Sequence, residues 1–164
     1  MKKSLIILLL LTIFLSTVMA ETYLNANDLT PCKLTSTFTT DGVAILATAE
    51  KAVDIEALEI VRESEDGEVF NVRIKLNGTG STSYRAIKFN AKKGETLTVY
   101  ANSSSKTEAR TLTLANESGP ISSLVAKEDV DNKASMAKVK INTTGTYYLY
   151  SKNKGINIYT LIVE

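Results

Sequence analysis

Histidine and tryptophan are absent from this 164-residue chain, and cysteine occurs once. Without histidine, the commonest general base and the commonest metal ligand are both missing, so neither a Ser-His-Asp nor a Cys-His arrangement can be assembled. The single Cys32 excludes an intramolecular disulfide and leaves the core to hold the fold. Two readings of Cys32 stand: a small buried hydrophobe near the start of the first strand, which the lack of an activating histidine favours, or an intermolecular bridge or reactive thiol.

Long apolar runs are missing after residue 20, where nothing approaches the roughly 18 to 20 residues that spanning a membrane needs. Before that point, Lys2-Lys3, the run Leu5 to Val18, and Val18-Met19-Ala20 ahead of Glu21 have the order of a secretory signal peptide with Ala20 as its last residue. An uncleaved anchor is the alternative. Residues 1–20 are therefore expected to be removed, giving a secreted, extracellular chain with no membrane attachment in its mature form. Residues 21–164 are the size of one domain with a real hydrophobic core. Loss of Lys2 and Lys3 leaves 17 basic against 18 acidic residues, so no bulk field draws the mature chain toward nucleic acid or membrane. Charge-based recognition must be local.

What is present is β-structure. From Leu34 onward, short β-branched and aromatic runs alternate with turn pairs: Asp41-Gly42, Asp66-Gly67, Asn77-Gly78, Lys93-Gly94, Ser118-Gly119-Pro120, Thr144-Gly145 and Lys154-Gly155. That spacing predicts an all-β fold, an antiparallel β-sandwich or jelly roll. In the run from Phe70 to Leu76, the apolar set Phe70, Val72, Ile74 and Leu76 leaves Asn71, Arg73 and Lys75 on the opposite face. Ile87 and Phe89 likewise oppose Lys88, and Val139 and Ile141 oppose Lys138 and Lys140. Arg73, Lys75 and Lys88 are expected on outward positions of strands that lie together. Ala49 to Glu63 is ambiguous: its Ala, Glu and Leu content and the spacing of Val53, Ala57, Ile60 and Val61 suit a helix, while its flanking strands favour strand plus loop.

Near the end, Thr146 to Ser151 and Ile156 to Val163 are joined by Lys152-Asn-Lys-Gly155, which reads as a closing hairpin whose glycine takes positive φ. Alternation puts Tyr147 and Leu149 on one face and Tyr148 and Tyr150 on the other, and it sets Ile156 and Ile158 against Asn157 and Tyr159. At least half of these rings should be core, with Lys152 and Lys154 at the tip.

Other chemistry is sparse. The acidic residues sit mainly in the ambiguous segment and in turns, a poor basis for a carboxylate pair that hydrolyses glycosidic bonds, so no enzyme is expected. Asp129-Val-Asp131 could give oxygens to a structural calcium ion, but the glycine and later glutamate of a calcium loop are lacking, and a solvated acidic turn fits better. Asn77, Asn102, Asn116 and Asn142 head Asn-x-Ser/Thr sequons at predicted turns.

The blocks Arg73-Ile-Lys-Leu-Asn-Gly-Thr-Gly80, Tyr84-Arg-Ala-Ile-Lys-Phe89, Leu97-Thr-Val-Tyr-Ala101, Arg110-Thr-Leu-Thr-Leu114, Gly145-Thr-Tyr-Tyr-Leu-Tyr-Ser151 and Gly155-Ile-Asn-Ile-Tyr159 resemble the pectin-binding carbohydrate-binding modules of family 77, β-sandwiches found in secreted pectate lyases. The likeness runs over most of Thr22 to Val163. It implies an acidic galacturonan ligand gripped by lysines, matched here to Lys75, Lys88 and Lys152, with Lys154 able to replace Lys152. Galacturonan carries a carboxylate on every sugar, so ammonium groups spaced along a sheet can each meet one. The lack of tryptophan agrees, because neutral-sugar modules usually need flat aromatic platforms.

Each candidate also has an ordinary explanation. An outward lysine commonly serves solubility or blunts a strand edge. Arg85 and Arg110 share the phase of inward apolar neighbours and serve either as ion pairs at the sheet rim or as carboxylate forks. The sequence thus supports a non-catalytic, secreted module for acidic plant polysaccharide, with Arg73, Lys75, Lys88, Lys152, Lys154, Arg85 and Arg110 as candidate ligand-binding residues. The alternative is a structural or adhesive surface protein that binds a host surface or assembles into homo-oligomers or filaments, for which the lone Cys32 is the motive.

Overall fold

Period-two alternation calls for a buried partner on one side of each strand. The computed structural model, which describes residues 22–164, meets that need with two sheets stacked face to face. The predicted leader therefore lies outside the described residues. Sheet A runs β1 (Thr22–Asn25), β13 (Ile156–Val163), β6 (Val69–Leu76), β5 (Val53–Ser64), β11 (Lys133–Lys140) and β8 (Thr96–Ser103), with β2 (Cys32–Leu34) added on β5. Sheet B runs β10 (Gly119–Ala126), β9 (Arg110–Asn116), β12 (Gly145–Ser151), β7 (Ala86–Ala91), β4 (Val43–Leu46) and β3 (Phe38–Thr40). The all-β sandwich expected from the turn spacing is the fold observed. Asp41 and Gly42, at φ 46° and 77°, close the β3–β4 hairpin with the two successive positive-φ residues such a turn requires.

The core lies between the sheets. Sheet B contributes the in-register row Ile45, Ile87, Leu149 and Leu114, and sheet A faces it with Ile74, Leu76, Leu97, Val99 and Leu161, all fully buried. Truncating one such side chain to alanine costs about 2 to 5 kcal/mol.

The ambiguous segment is strand. Residues 53–64 form the twelve-residue β5, and the helix-like spacing comes from a register shift between Ala57 and Arg62 that lifts the intervening residues off β6. Beyond the bulge, β5 bends across the back of sheet A and meets β11 in parallel at Glu63 and Ser64. Because β13 also pairs with β8, the circuit β13, β6, β5, β11, β8 closes on itself. Inside it sits a second small core of Phe70, Tyr100, Ala134 and Tyr159, with Phe70 stacked on Tyr159 at 5.0 Å and tilted against Tyr100 at 5.5 Å. This covering explains why β13 is buried on both faces.

Four expectations are corrected. The closing hairpin does not exist, since β12 pairs with β7 and β9 in sheet B while β13 pairs with β1, β6 and β8 in sheet A; residues 152–155 cross between layers. Gly155 is absent from the positive-φ residues, and its value is close approach: a Cβ there would lie 2.8 Å from Ser104 Oγ and 3.3 Å from the Leu76 carbonyl. Cys32 is exposed rather than buried, because β2 is a three-residue strand at the sheet margin. Asn102 lies within β8 at 1% exposure, so its sequon is sealed in the folded chain, unlike the exposed Asn142.

Candidate functional site

The outward-phase residues of sheet B form the most distinctive surface. None of its six strands contains an aspartate or glutamate, and their only charged residues are Lys88 and Arg110. On β12 the outward phase runs Thr146, Tyr148, Tyr150 and then Lys152, whose backbone N–H still bonds to the Thr111 carbonyl as a continuation of the strand. Lys88 stands in register beside Tyr148. Lys88 and Lys152 are both exposed, and neither has a carboxylate partner among the described residues.

The floor around the tyrosines is small. Tyr148 is flanked on its far side by Ala115, and Tyr150 by Ala86 and Thr113. Ala86 and Ala115 are 0% exposed although they face outward, so the half-buried tyrosine rings and the loop before β7 must shield them. Gly80 in that loop touches Tyr150 Cβ and the Arg85 carbonyl so closely that no side chain fits. Tyr84 from the same loop receives the Lys51 ammonium 5.7 Å from its ring centroid. The result is a shallow strip of tyrosine with a free ammonium near each end, about 13 Å apart by strand rise.

The other sequence candidates lie elsewhere. Arg73 and Lys75 are on β6 in sheet A, so the expected grouping with Lys88 on neighbouring strands is corrected: the sandwich separates them onto opposite layers. Both are engaged by Glu56 on β5, with Arg73 Nε and Nη2 donating to Oε2 at 2.9 and 2.5 Å and Lys75 Nζ donating to Oε1 at 3.0 Å. Burial alone would raise the Glu56 carboxyl, but hydrogen bonds and charge from Arg73 and Lys75 outweigh it and hold the group below its ordinary 4.5.

Lys154 Nζ lies 2.9 Å from Glu108, and its hydrogen bond and charge hold that carboxyl low. Arg110, whose side chain is 11% exposed, donates to Ser104 Oγ at 2.6 Å and to the Gly155 carbonyl, fastening the crossover at the rim. Arg85 takes φ 47° and donates from Nε to the Ala52 carbonyl at 3.2 Å. These two arginines bind loops together.

Asp129, expected in a solvated acidic turn, is instead held by Arg62 in a two-pronged pair, Nε to Oδ1 at 2.7 Å and Nη2 to Oδ2 at 2.8 Å, with both side chains mostly buried. Among the described residues, no group of three or more His, Cys, Asp or Glu side chains is placed to hold a metal ion.

No family model matches the chain, and no curated protein matches it. Among solved structures it is similar to a chain of Clostridium perfringens ZmpB holding CBM51-2 and INT domains in complex with GlcNAc, at 13% identity and TM-score 0.44, covering 88% of this chain and 31% of that one. It therefore spans about a third of that chain's length. It is also similar to a family 35 carbohydrate binding module from Clostridium thermocellum, at 12% identity, TM-score 0.47 and coverage of 88% and 98%. A third is the CBM51 from Clostridium perfringens GH95 in complex with methyl-galactose, at 11% identity, TM-score 0.46 and coverage of 87% and 100%.

Proposed function

We propose that the protein is a secreted, non-catalytic carbohydrate-binding module that takes an acidic polysaccharide along the outer face of sheet B. The observation that carries this reading is the strip on β12 and β7: Tyr148 and Tyr150 in one line, flanked by Lys88 and Lys152, on a sheet whose strands have no carboxylate. Tyrosine rings offer an apolar surface to the faces of successive sugars and a hydroxyl to their edges. The free ammonium groups meet carboxylates on the polymer. Each exposed ion pair is worth only about 0 to 1 kcal/mol, so binding is weak, additive over several sugars and sensitive to salt. Arg73 and Lys75 are not available in this way, because Glu56 already neutralises one of their two charges and fixes both heads.

Affinity electrophoresis through gels containing polygalacturonate tests the reading. The wild-type chain is expected to be retarded, Lys88→Ala and Tyr148→Ala each to weaken that retardation, and Lys75→Ala to keep it. Retardation that is unchanged in Lys88→Ala, or absent in the wild type, contradicts it.

A further inference from the structure

A second site opens on the opposite layer. Where β5 bulges away from β6 and the loop 127–132 passes over the back of sheet A, a cleft of about 760 Å³ is left, bordered by Glu56, Arg73, Arg62, Asp129 and Lys106. Its size lies within the range of small-molecule sites.

Three features of the cleft suit a neutral polyhydroxylated ligand. First, four of its charged groups are fixed in two neutralising pairs, while Glu59, Lys106 and Asp131 stay exposed at its border: Arg62 is locked on Asp129 and bonds from Nη1 to the Ile60 carbonyl at 2.5 Å, and Arg73 is locked on Glu56. A paired carboxylate oxygen retains a lone pair and a paired guanidinium retains N–H groups, so acceptors and donors stand side by side at preset positions. Adjacent hydroxyls on a sugar ring, each both donor and acceptor, match that alternation. Second, Ile60 and Val130 at the lip are 58% and 46% exposed, giving an apolar contact for the C–H face of such a ring. Third, polar groups lie buried behind the residues that line the cleft. The Tyr159 hydroxyl is fully buried beside the Arg62 guanidinium and the Asn157 amide, though neither meets it in good hydrogen-bonding geometry. The amide of Asn157 is equally buried and unpaired between Lys75 and Asn102, and the Asn102 amide bonds to the Glu128 carbonyl just before Asp129. A buried polar group without a partner calls for an explanation, and a bound water is one.

We propose that this cleft binds a single neutral sugar unit through vicinal hydroxyls, as a carbohydrate site separate from the tyrosine strip. It does not depend on the sheet B reading, and it gives the module two differently charged sites on opposite faces.

The test is NMR titration of the full mature chain with glucose, galactose, xylose, mannose and arabinose in turn, following the Arg62 and Arg73 side-chain N–H signals. At least one sugar is expected to shift both signals saturably. Ile60→Ala, at an exposed position that leaves the fold intact, should weaken the midpoint roughly threefold to tenfold through lost apolar contact. Lys88→Ala should leave it unchanged, and Ile60→Ala should leave retardation by polygalacturonate unchanged, so the two sites fail independently. No saturable shift with any of the five sugars, or an unaltered midpoint in Ile60→Ala, overturns the proposal.

Discussion

At the scale of single residues, the sandwich decides which charges are free. Glu56 is the clearest case. Its carboxyl is held below 4.5 in the folded chain by Arg73 and Lys75, so its stabilising contribution is fully present above that value and is lost as pH falls through the lower folded one. Urea unfolding at neutral and acid pH should show a smaller acid loss in Glu56→Gln than in the wild type. Tyr100 gives the opposite sign. Burial, then its 2.5 Å hydrogen bond to Asp66, pushes its hydroxyl up to about 12, so stability that is intact below pH 10 should decline as pH rises toward that value. Tyr100→Phe should flatten the alkaline limb of the same measurement. Neither environment was legible in the sequence, because both join residues many positions apart. The alternation that puts Tyr148 and Tyr150 in one phase is legible; that Lys152 continues that phase instead of sitting at a hairpin tip, and that Lys88 stands beside Tyr148, follows only from the pairing of β12 with β9 and β7. Cys32 is exposed because its short strand lies at a margin, which composition does not reveal, and its thiol should react with a soluble thiol reagent in the native state.

At the scale of elements, the strap formed by the far half of β5 and the start of β11 is held by parallel pairing at Glu63 and Ser64, an exposed Lys133–Glu63 ion pair and a buried Arg62–Asp129 pair. Arg62 and Asp129 are 13% and 11% exposed, so removing one partner leaves a nearly buried charge. Arg62→Ala is expected to cost about 3 kcal/mol and to raise hydrogen exchange first at residues 58–64. Phe70→Ala, beneath the strap, should cost about 3 to 5 kcal/mol by cavity formation. The strap is where the sequence was hardest to read. Residues 53–64 satisfy helical spacing only because a bulge interrupts strand alternation, and a bulge leaves no local signature in charged and aliphatic residues. The crossover from β12 to β13 reads as a hairpin in the sequence for a related reason: two strands joined by a short polar link look the same whether they pair or part to different layers. Gly155→Ala, at a close approach to Ser104 and the Leu76 carbonyl, should destabilise by about 1 to 3 kcal/mol, measured by urea unfolding.

At the scale of the whole molecule, a near-neutral chain carries two unlike faces. The strands of sheet B are free of carboxylates, whereas the back of sheet A gathers Glu56, Arg62, Arg73 and Asp129 into paired clusters. Net charge conceals this, and the sandwich reveals it by sorting the outward phases of its strands into two sheets. The proposed recognition of an acidic polymer by two free lysines and two tyrosines should weaken as salt shortens the reach of the ammonium groups, while stacking on the rings persists in part. Isothermal titration with oligogalacturonate therefore tests the central claim most directly, comparing the wild type with Lys88→Ala/Lys152→Ala and with Arg73→Ala/Lys75→Ala. The expected result is salt-sensitive binding that the first pair of changes abolishes and the second leaves intact. Binding that vanishes with Arg73 and Lys75 and survives without Lys88 and Lys152 would place the ligand on the wrong sheet and contradict the account.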